Sequence, residues 1–184
     1  MVIARMTGPD RTTRRGAGMK ALPRVLLLWI ACLPAAIAEE SPAASFFSQV
    51  AGDWQGTGEV RGMASIQQMS WQPVLDGSFL RLTFDNRMTA ADGKEWRFQA
   101  HSYYRIRDDG TVTGVWFDSR GVSFPLSGAV DDGGTMTILW GTDDTERGRS
   151  SYRLAAGELE VTDEVFGREG EWRVFGRTRL TRRP

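Results

Sequence analysis

From Ser45 onward, apolar and polar residues alternate in short runs, a pattern typical of half-buried β-strands. The longest run covers residues 94–107 and is the clearest of them. Its mainly apolar positions are Trp96, Phe98, Ala100, Ser102, Tyr104 and Ile106. Its polar positions are Arg97, Gln99, His101, Tyr103, Arg105 and Arg107. Since successive side chains of a strand point to opposite faces, this run predicts one apolar face and one charged face.

Turn signals divide the rest of the chain into similar runs. Glycine supplies the positive φ that tight hairpin turns require, and a preceding Asp can hydrogen-bond its own backbone. Such signals occur at residues 61–62, 76–77, 92–93, 109–110, 119–121, 132–134, 141–144, 156–157 and 167–170. The strands predicted between them cover residues 52–60, 63–72, 78–86, 94–107, 111–118, 121–130, 134–141, 146–155, 158–166 and 171–181.

Consecutive hairpins of this kind predict an antiparallel up-and-down meander. Ten strands in one open sheet would leave two long unpaired edges, and closure into a barrel removes them. We therefore expect an all-β protein, a single antiparallel up-and-down barrel of about ten strands. The apolar piece at residues 45–50 follows Pro42 and is expected to form a short helical turn that plugs one end. An ordered coil that packs Phe46 and Phe47 is the alternative.

The first 38 residues differ in composition from the rest. A basic stretch ends at Arg24, the apolar run Val25–Ala31 follows it, and small residues occupy positions 35–38. This order is typical of a secretory signal peptide. Pro34 interrupts the apolar run before it reaches the roughly 20 residues that a membrane-spanning helix needs. The segment is therefore expected to be removed rather than to remain as an anchor.

We expect cleavage after Ala38, which makes residues 1–38 a signal peptide and residues 39–184 the barrel domain. The mature protein is then expected in the periplasm or outside the cell. Met19 begins a segment that already contains a complete basic region, so translation from Met19 is an alternative start. Cys32 is expected to leave with the signal peptide. A lipid anchor on Cys32 is the minor alternative, because the residues ahead of it match a lipoprotein signal only in part.

The charge of the mature part argues against nucleic acid as a partner. Six of the 23 basic residues and one of the 23 acidic residues precede residue 39, so 17 basic and 22 acidic side chains remain. A chain with that balance has no general attraction for phosphate backbones. The arginines near its end are interleaved with strand residues, which is typical of a solvated strand face.

A short motif opens the first predicted strand. Gly52-Asp53-Trp54 matches the Gly-x-Trp motif of the calycin superfamily, which includes lipocalins, fatty-acid-binding proteins and nitrobindin-like barrels. The longer stretch at residues 52–58 is most similar to the nitrobindin-like group and to a bacterial lipocalin-like family of unknown function. Residues 74–80 and 116–119 also resemble the latter. The resemblance spans residues 46–181 and implies a ten-stranded barrel.

The resemblance also implies a structural role for Gly52 and Trp54. In calycins the first-strand tryptophan packs beneath a basic side chain of the last strand, a contact that combines apolar burial with a cation over a ring. In this sequence that side chain would be Arg177 or Arg179.

The ligands of those families do not follow from the fold. Nitrobindin-like barrels bind haem through a histidine near the C-terminus, whereas His101 is the single histidine here. Fatty-acid-binding proteins hold a carboxylate with an Arg-x-Tyr pair, whereas residues 173–175 lack the hydroxyl. His101 shares strand parity with Arg97, so we expect it to face solvent and expect no haem cofactor. A β-bulge after Phe98 would reverse that parity and make a haem-binding barrel the alternative.

The chain lacks the residue sets of the common catalytic and metal sites. One His and one Cys cannot supply the three or four ligands of a zinc site unless carboxylates complete it, and no nucleophile elbow or phosphate-binding glycine loop is present. The acidic pairs at 108–109, 131–132 and 143–144 fall at predicted turns, where Asp is favoured for backbone reasons. We therefore expect no catalytic residues, no metal site and a binding protein rather than an enzyme.

Aromatic residues remain the distinctive feature. Six tryptophans fall in six different predicted strands, so their rings either fill a barrel or line its cavity. The expected pocket residues are Trp71, Phe84, Trp96, Phe98, Tyr104, Trp116, Phe124 and Trp140. We expect the protein to carry or sense a small apolar ligand in the barrel. A non-catalytic interaction module that acts through the barrel surface is the alternative.

Overall fold

A computed structural model describes residues 41–107 and 109–184. One helix precedes ten antiparallel strands, each paired with the next, and β1 pairs with β10 to close a barrel. The helix is α1 (Pro42–Val50). The strands are β1 (Gly52–Val60), β2 (Met63–Val74), β3 (Phe79–Thr89), β4 (Glu95–Ile106), β5 (Val112–Asp118), β6 (Ser123–Val130), β7 (Thr135–Gly141), β8 (Arg147–Ala155), β9 (Glu158–Phe166) and β10 (Trp172–Arg182). The predicted all-β barrel of ten strands is confirmed.

Some of the sequence predictions concern residues outside the described ranges. The signal peptide at residues 1–38, the alternative start at Met19 and the lipid anchor at Cys32 all lie there, as does Asp108 of the first acidic pair. Within the described ranges, no helix has both the length and the apolar character that a membrane crossing requires.

The helix α1 covers one end of the barrel. Ser41 caps it by accepting a 3.2 Å hydrogen bond from the Ala44 amide, and Pro42 occupies the first turn, where it loses no helical hydrogen bond. Ala43, Phe46 and Val50 form its buried face. The helix packs against β6 and β7, so the predicted short helix before β1 is confirmed, with a start three residues earlier than expected.

The barrel interior has two halves along its axis. The half beneath α1, here called the capped half, is a continuous apolar core. Its fully buried members include Val50, Trp54, Trp71, Tyr104, Val112, Met136, Leu159 and Leu180. The other half, the uncapped half, contains the ends of β1, β3, β5, β7 and β9 and the beginnings of the even-numbered strands.

The alternation predicted for β4 is present. Ala100, Ser102 and Tyr104 are buried, whereas His101 is exposed on the outer face, with its Nδ1 3.4 Å from the Thr83 hydroxyl. The register between β3 and β4 runs without a shift, so no bulge turns His101 inward.

The cation over Trp54 comes from Arg182, and the expectation of Arg177 or Arg179 is wrong. The Arg182 guanidinium lies 4.5 Å from the Trp54 ring centroid, and the two residues are register partners across β1 and β10. Arg177 and Arg179 have the opposite strand parity and are exposed on the outer face, where Arg179 Nε lies 3.4 Å from Glu160.

Candidate functional site

Aromatic rings line the uncapped half of the barrel. Phe84, Phe98 and Trp116, from β3, β4 and β5, form one cluster with centroid separations of 6.1 to 6.3 Å. Phe98 and Trp116 are stacked at an interplanar angle of 22°. All three are only partly buried, in contrast to the core of the capped half. This cluster presents ring faces and edges at the uncapped end.

A second cluster adjoins the first in the same half, because Phe124 of β6 is the register partner of Trp116. Trp140 of β7 contacts Phe124 at 5.9 Å and Phe175 at 6.4 Å between centroids. Its indole lies on the backbone of Gly148 in β8, so closely that a Cβ at position 148 would stand 2.0 Å from the ring. The absence of a side chain at Gly148 therefore sets the position of Trp140.

Arg120 links two hairpins above these rings. Its guanidinium forms ion pairs with Asp118, at 2.7 Å, and with Glu146 of the β7–β8 turn. It also lies 5.6 Å from the Phe98 centroid and 5.9 Å from that of Phe124. The arrangement forms a charged strap over both aromatic clusters.

The Asp118 carboxylate of this strap is stabilised in its charged form. Burial alone would raise the pKa of Asp118, but hydrogen bonds from Arg120 and from the Trp116 indole hold that pKa below its ordinary value. Asp118 also raises the pKa of Arg120, with a further contribution from Glu146. The ion pair of Asp118 with Arg120 therefore stays charged at neutral pH.

Polar side chains form a belt across the interior, between the two halves. On β2 and β3, Gln67 Nε2 donates to the Ser65 hydroxyl at 3.2 Å, and Ser65 donates to Asn86 Oδ1 at 2.8 Å. All three residues are at most 3% exposed. Gln67 Oε1 is buried without a hydrogen-bond partner among the described residues.

The belt continues on β8, β9 and β10. The Ser150 hydroxyl donates a 2.6 Å hydrogen bond to Asp163 Oδ1, and both residues face inward because Asp163 pairs with Ser150 and with Gly176. The buried Thr178 Oγ1 has no partner among the described residues. Loss of solvation raises the pKa of Asp163 to about 6, against the smaller opposing effect of the Ser150 hydrogen bond.

Two tyrosine hydroxyls mark the boundary with the capped half. Tyr104 and Tyr152 both contact the Trp71 ring at 5.4 Å between centroids. Burial raises the pKa of Tyr104 to about 12 and that of Tyr152 well above its ordinary value. Both hydroxyls therefore stay protonated, and Ser102 donates a 3.1 Å hydrogen bond to that of Tyr104.

The residues predicted to line a pocket lie in three places. The uncapped half contains Phe84, Phe98, Trp116, Phe124 and Trp140. Trp71 and Tyr104 are fully buried in the capped half. Trp96 lies at the rim, 49% exposed, with Lys94 Nζ 4.2 Å above its ring.

Sequence reasoning missed the polar belt and the strap. A signal for the belt exists in β9, where Leu159, Val161, Asp163 and Val165 share one face. A lone carboxylate in an otherwise apolar alternation marks an inward-facing acid. Arg120 gave no such signal, because it occupies a turn.

Two crevices lie outside the barrel. One of about 710 Å³ is bounded by α1 and the β6–β7 turn, and the other, of about 310 Å³, lies beside Arg105 and Arg107. Neither contains an aromatic cluster of the uncapped half. Across residues 41–107 and 109–184, no three His, Cys, Asp or Glu side chains come together as a metal site.

Comparison with known proteins supports the fold alone. No protein-family model matches the sequence, and no curated protein matches it. Among solved structures, Rv2717c from M. tuberculosis is 19% identical, with a TM-score of 0.58 over 79% of this chain and 100% of that one. The S-type phycobiliprotein lyase CPES from Guillardia theta is 10% identical, with a TM-score of 0.56 over 76% of this chain and 92% of that one. These neighbours support the barrel fold, and the resemblance to the calycin superfamily and to the families named within it stays a prediction.

Proposed function

We propose that this protein is an exported binding protein that takes a small, largely apolar molecule into the uncapped half of its barrel. The observation that carries the proposal is the pairing of six aromatic rings, five partly buried and one, Phe124, buried, with a belt of inward-facing polar groups. Ligand sites typically combine apolar walls with a few polar groups that fix orientation.

Two polar atoms of the belt are available to a ligand. A buried polar atom without a hydrogen bond costs about 1 to 3 kcal/mol, and native structures contain few of them. Gln67 Oε1 and Thr178 Oγ1 both belong to side chains at most 4% exposed. A bound molecule can form hydrogen bonds with these atoms, in place of the water that contacts them when the barrel is empty.

Fold similarity is compatible with this function. One of the two structural neighbours is a phycobiliprotein lyase, so a similar fold occurs in a protein with a function of its own. That protein's activity is not carried over, because the two chains share only 10% identity.

Titration with N-phenyl-1-naphthylamine, a neutral probe whose emission rises in apolar surroundings, tests the proposal. We expect saturable binding to the barrel domain. In Gly148→Ala the new methyl group displaces the Trp140 indole, and we expect binding at least several-fold weaker. Gly133→Ala, in the exposed β6–β7 turn, is the matched control.

Circular dichroism establishes that each variant is folded. If Gly148→Ala does not fold, Phe98→Leu removes a ring of the first cluster and takes its place in the comparison. Absence of saturable binding to the parent, or equal binding by parent and ring variants, contradicts the proposal.

A second candidate function rests on the outer face. Phe117, Val122 and Leu139 are 37 to 48% exposed on β5, the β5–β6 turn and β7, and exposed apolar side chains on the outer face of a barrel can mark a protein interface. Sedimentation of the parent and of Phe117→Ser tests it. Self-association that is lost in the variant supports an interaction module, whereas two monomeric proteins count against self-association through this face.

The proposed export rests on the basic, apolar and small-residue segments before Glu39. We expect the secreted form to begin at Glu39, as measured by intact mass. A mature mass that includes residues 19–38 contradicts export with cleavage. A lipid-modified Cys32 would mean that the exported protein is anchored to a membrane.

A further inference from the structure

Asp163 is an inward-facing carboxylate that forms no ion pair with a described residue. Its one hydrogen bond comes from Ser150, and no charged side chain contributes to its pKa shift. By contrast, the outward-facing acids Glu160 and Glu164 of the same strand each pair with arginines. A carboxylate placed inside a barrel without a counter-ion has a high cost unless a ligand supplies the opposite charge.

The Asp163 side chain is only partly buried, and one of its oxygens has no hydrogen bond to a described residue. Its register partner on β10 is Gly176, which has no side chain, and the atoms nearest to a Cβ built at Gly176 are Asp163 Oδ2, at 3.1 Å, and Asp163 Cβ. Oδ1 is engaged by Ser150, so Oδ2 remains as an acceptor beside Gly176.

Aromatic rings stand one step nearer the uncapped end. Phe175 directly precedes Gly176, and Trp140 pairs with Gly148, the inward position next to Ser150 on β8. Two residues along a strand span about 7 Å. A ring held against Trp140 and Phe175 would therefore place a substituent one or two bonds long near Asp163.

Resting on the proposed function, we infer that the ligand carries a protonated amine, which Asp163 binds, on a planar apolar body, which Trp140 and Phe175 contact. Ring faces attract cations and stack on flat molecules. The rings of Trp140 and Phe175 therefore suit a planar, positively charged ligand, as the Asp163 carboxylate does. Gln67 Oε1 is a further unpartnered acceptor in the belt for an N–H donor.

Among the groups that face one another around Asp163, the carboxyl group of Asp163 is the one whose charge changes near neutral pH. From β8 they are Ser150 and Tyr152, from β10 Gly176 and Thr178, and from β4 the hydroxyl of Tyr104. Both tyrosines have raised pKa values and remain neutral. Amine binding is therefore expected to weaken as the pH falls from 7.5 to 5, because Asp163 gains a proton in that range.

Three probes with one ring system test the inference by isothermal titration calorimetry at pH 7.5. They are 1-naphthylmethylamine, 1-naphthalenemethanol and 1-naphthoate, which differ in charge but little in shape. We expect the amine to bind the parent roughly tenfold more tightly than the alcohol, as expected for a charge-assisted hydrogen bond. Asp163→Asn, which keeps the size of the side chain, should abolish this preference. Glu160→Gln, the same charge change on the outer face of β9, should leave it unchanged.

The outcomes separate this inference from the proposed function. If the alcohol binds and the amine binds no better, the inference is wrong and the proposed function stands. A preference for 1-naphthoate would mean that a cationic side chain binds the charged group, and it would also overturn the inference. If no probe binds, both fail. An amine preference that survives in Asp163→Asn likewise overturns the role of Asp163.

Discussion

The guanidinium of Arg182 lies 4.5 Å from the Trp54 ring centroid and at the same time caps the end of α1. Its Nη1 donates a 2.7 Å hydrogen bond to the Ala51 carbonyl, and its Nη2 donates to that of Gln49. The Trp54 indole donates in turn to the Val50 carbonyl at 2.8 Å. One contact thus joins the helix to the first and the last strands, at the seam where the barrel closes.

Arg182→Gln is expected to destabilise the fold by roughly 1 to 2 kcal/mol, because it removes a cation–π contact and two hydrogen bonds to carbonyl groups at a helix end. Urea denaturation measures the change. Arg179→Gln, on the outer face of the same strand, is the control, with a change below about 1 kcal/mol. Equal losses in the two variants would contradict the special role of Arg182.

The strand plan of the barrel is predictable from the sequence because turns and alternation are local properties. Asp-Gly and related turns placed most strand ends within two residues of those observed. The end of β3 is an exception, since the strand continues to Thr89 although the prediction stopped at residue 86. Asn86 is polar yet faces inward. The apolar alternation therefore stops at this residue although the strand continues beyond it.

The site is less predictable, because it depends on register. Whether an inward-facing ring lies in the capped or the uncapped half depends on its place along the strand and on the direction of that strand. Trp71 and Trp116 both lie near the end of their strand, but β2 ends in the capped half and β5 ends in the uncapped half. The choice of Arg177 or Arg179 over Arg182 failed for a related reason. Strand parity relative to Trp54 decides which arginine faces the ring, and that parity requires the pairing of β1 with β10.

Asp163 predicts an unusual pH dependence of stability. Burial raises its pKa to about 6 from an ordinary 3.8, so the folded protein still holds a proton that the unfolded chain has released between those values. The contribution of Asp163 to the free energy of unfolding is therefore highest below about pH 4. It falls as the pH rises through 6, by roughly 3 kcal/mol in all. Asp163→Asn removes this fall and is expected to be more stable than the parent at pH 8 and similar to it near pH 4.

Glu160→Gln is the control of opposite sign. Arg153 lowers the pKa of Glu160, so its stabilising effect is present above its ordinary pKa and is lost as the pH falls. We expect Glu160→Gln to be less stable than the parent at pH 8 and to approach it in acid. Urea midpoints of the three proteins between pH 4 and pH 8 measure both effects. A parallel pH dependence in Asp163→Asn and the parent would show that Asp163 is not desolvated.

The strap formed by Arg120 with Asp118 and Glu146 is expected to control the rate at which a ligand reaches the rings of Phe98 and Phe124. Glu146 ties Arg120 to the β7–β8 hairpin, whereas Asp118 holds it to its own hairpin. Glu146→Gln breaks the first tie and keeps the second. Partly exposed ion pairs contribute on the order of 1 kcal/mol or less, so stopped-flow mixing with N-phenyl-1-naphthylamine should show association and dissociation faster by at most about fivefold.

Both rates should rise together in Glu146→Gln, because the strap affects access to the site more than the contacts of the bound probe. The dissociation constant then changes little, and high salt should accelerate binding to the parent more than to the variant, since salt screens the ion pair. Asp143→Asn breaks the pair with Arg147 in the same hairpin, on a carboxylate that is 83% exposed, and should leave both rates unchanged. A change confined to the dissociation rate would instead mean that Arg120 contacts the bound probe, and unchanged rates in Glu146→Gln would remove the strap from the path of the ligand.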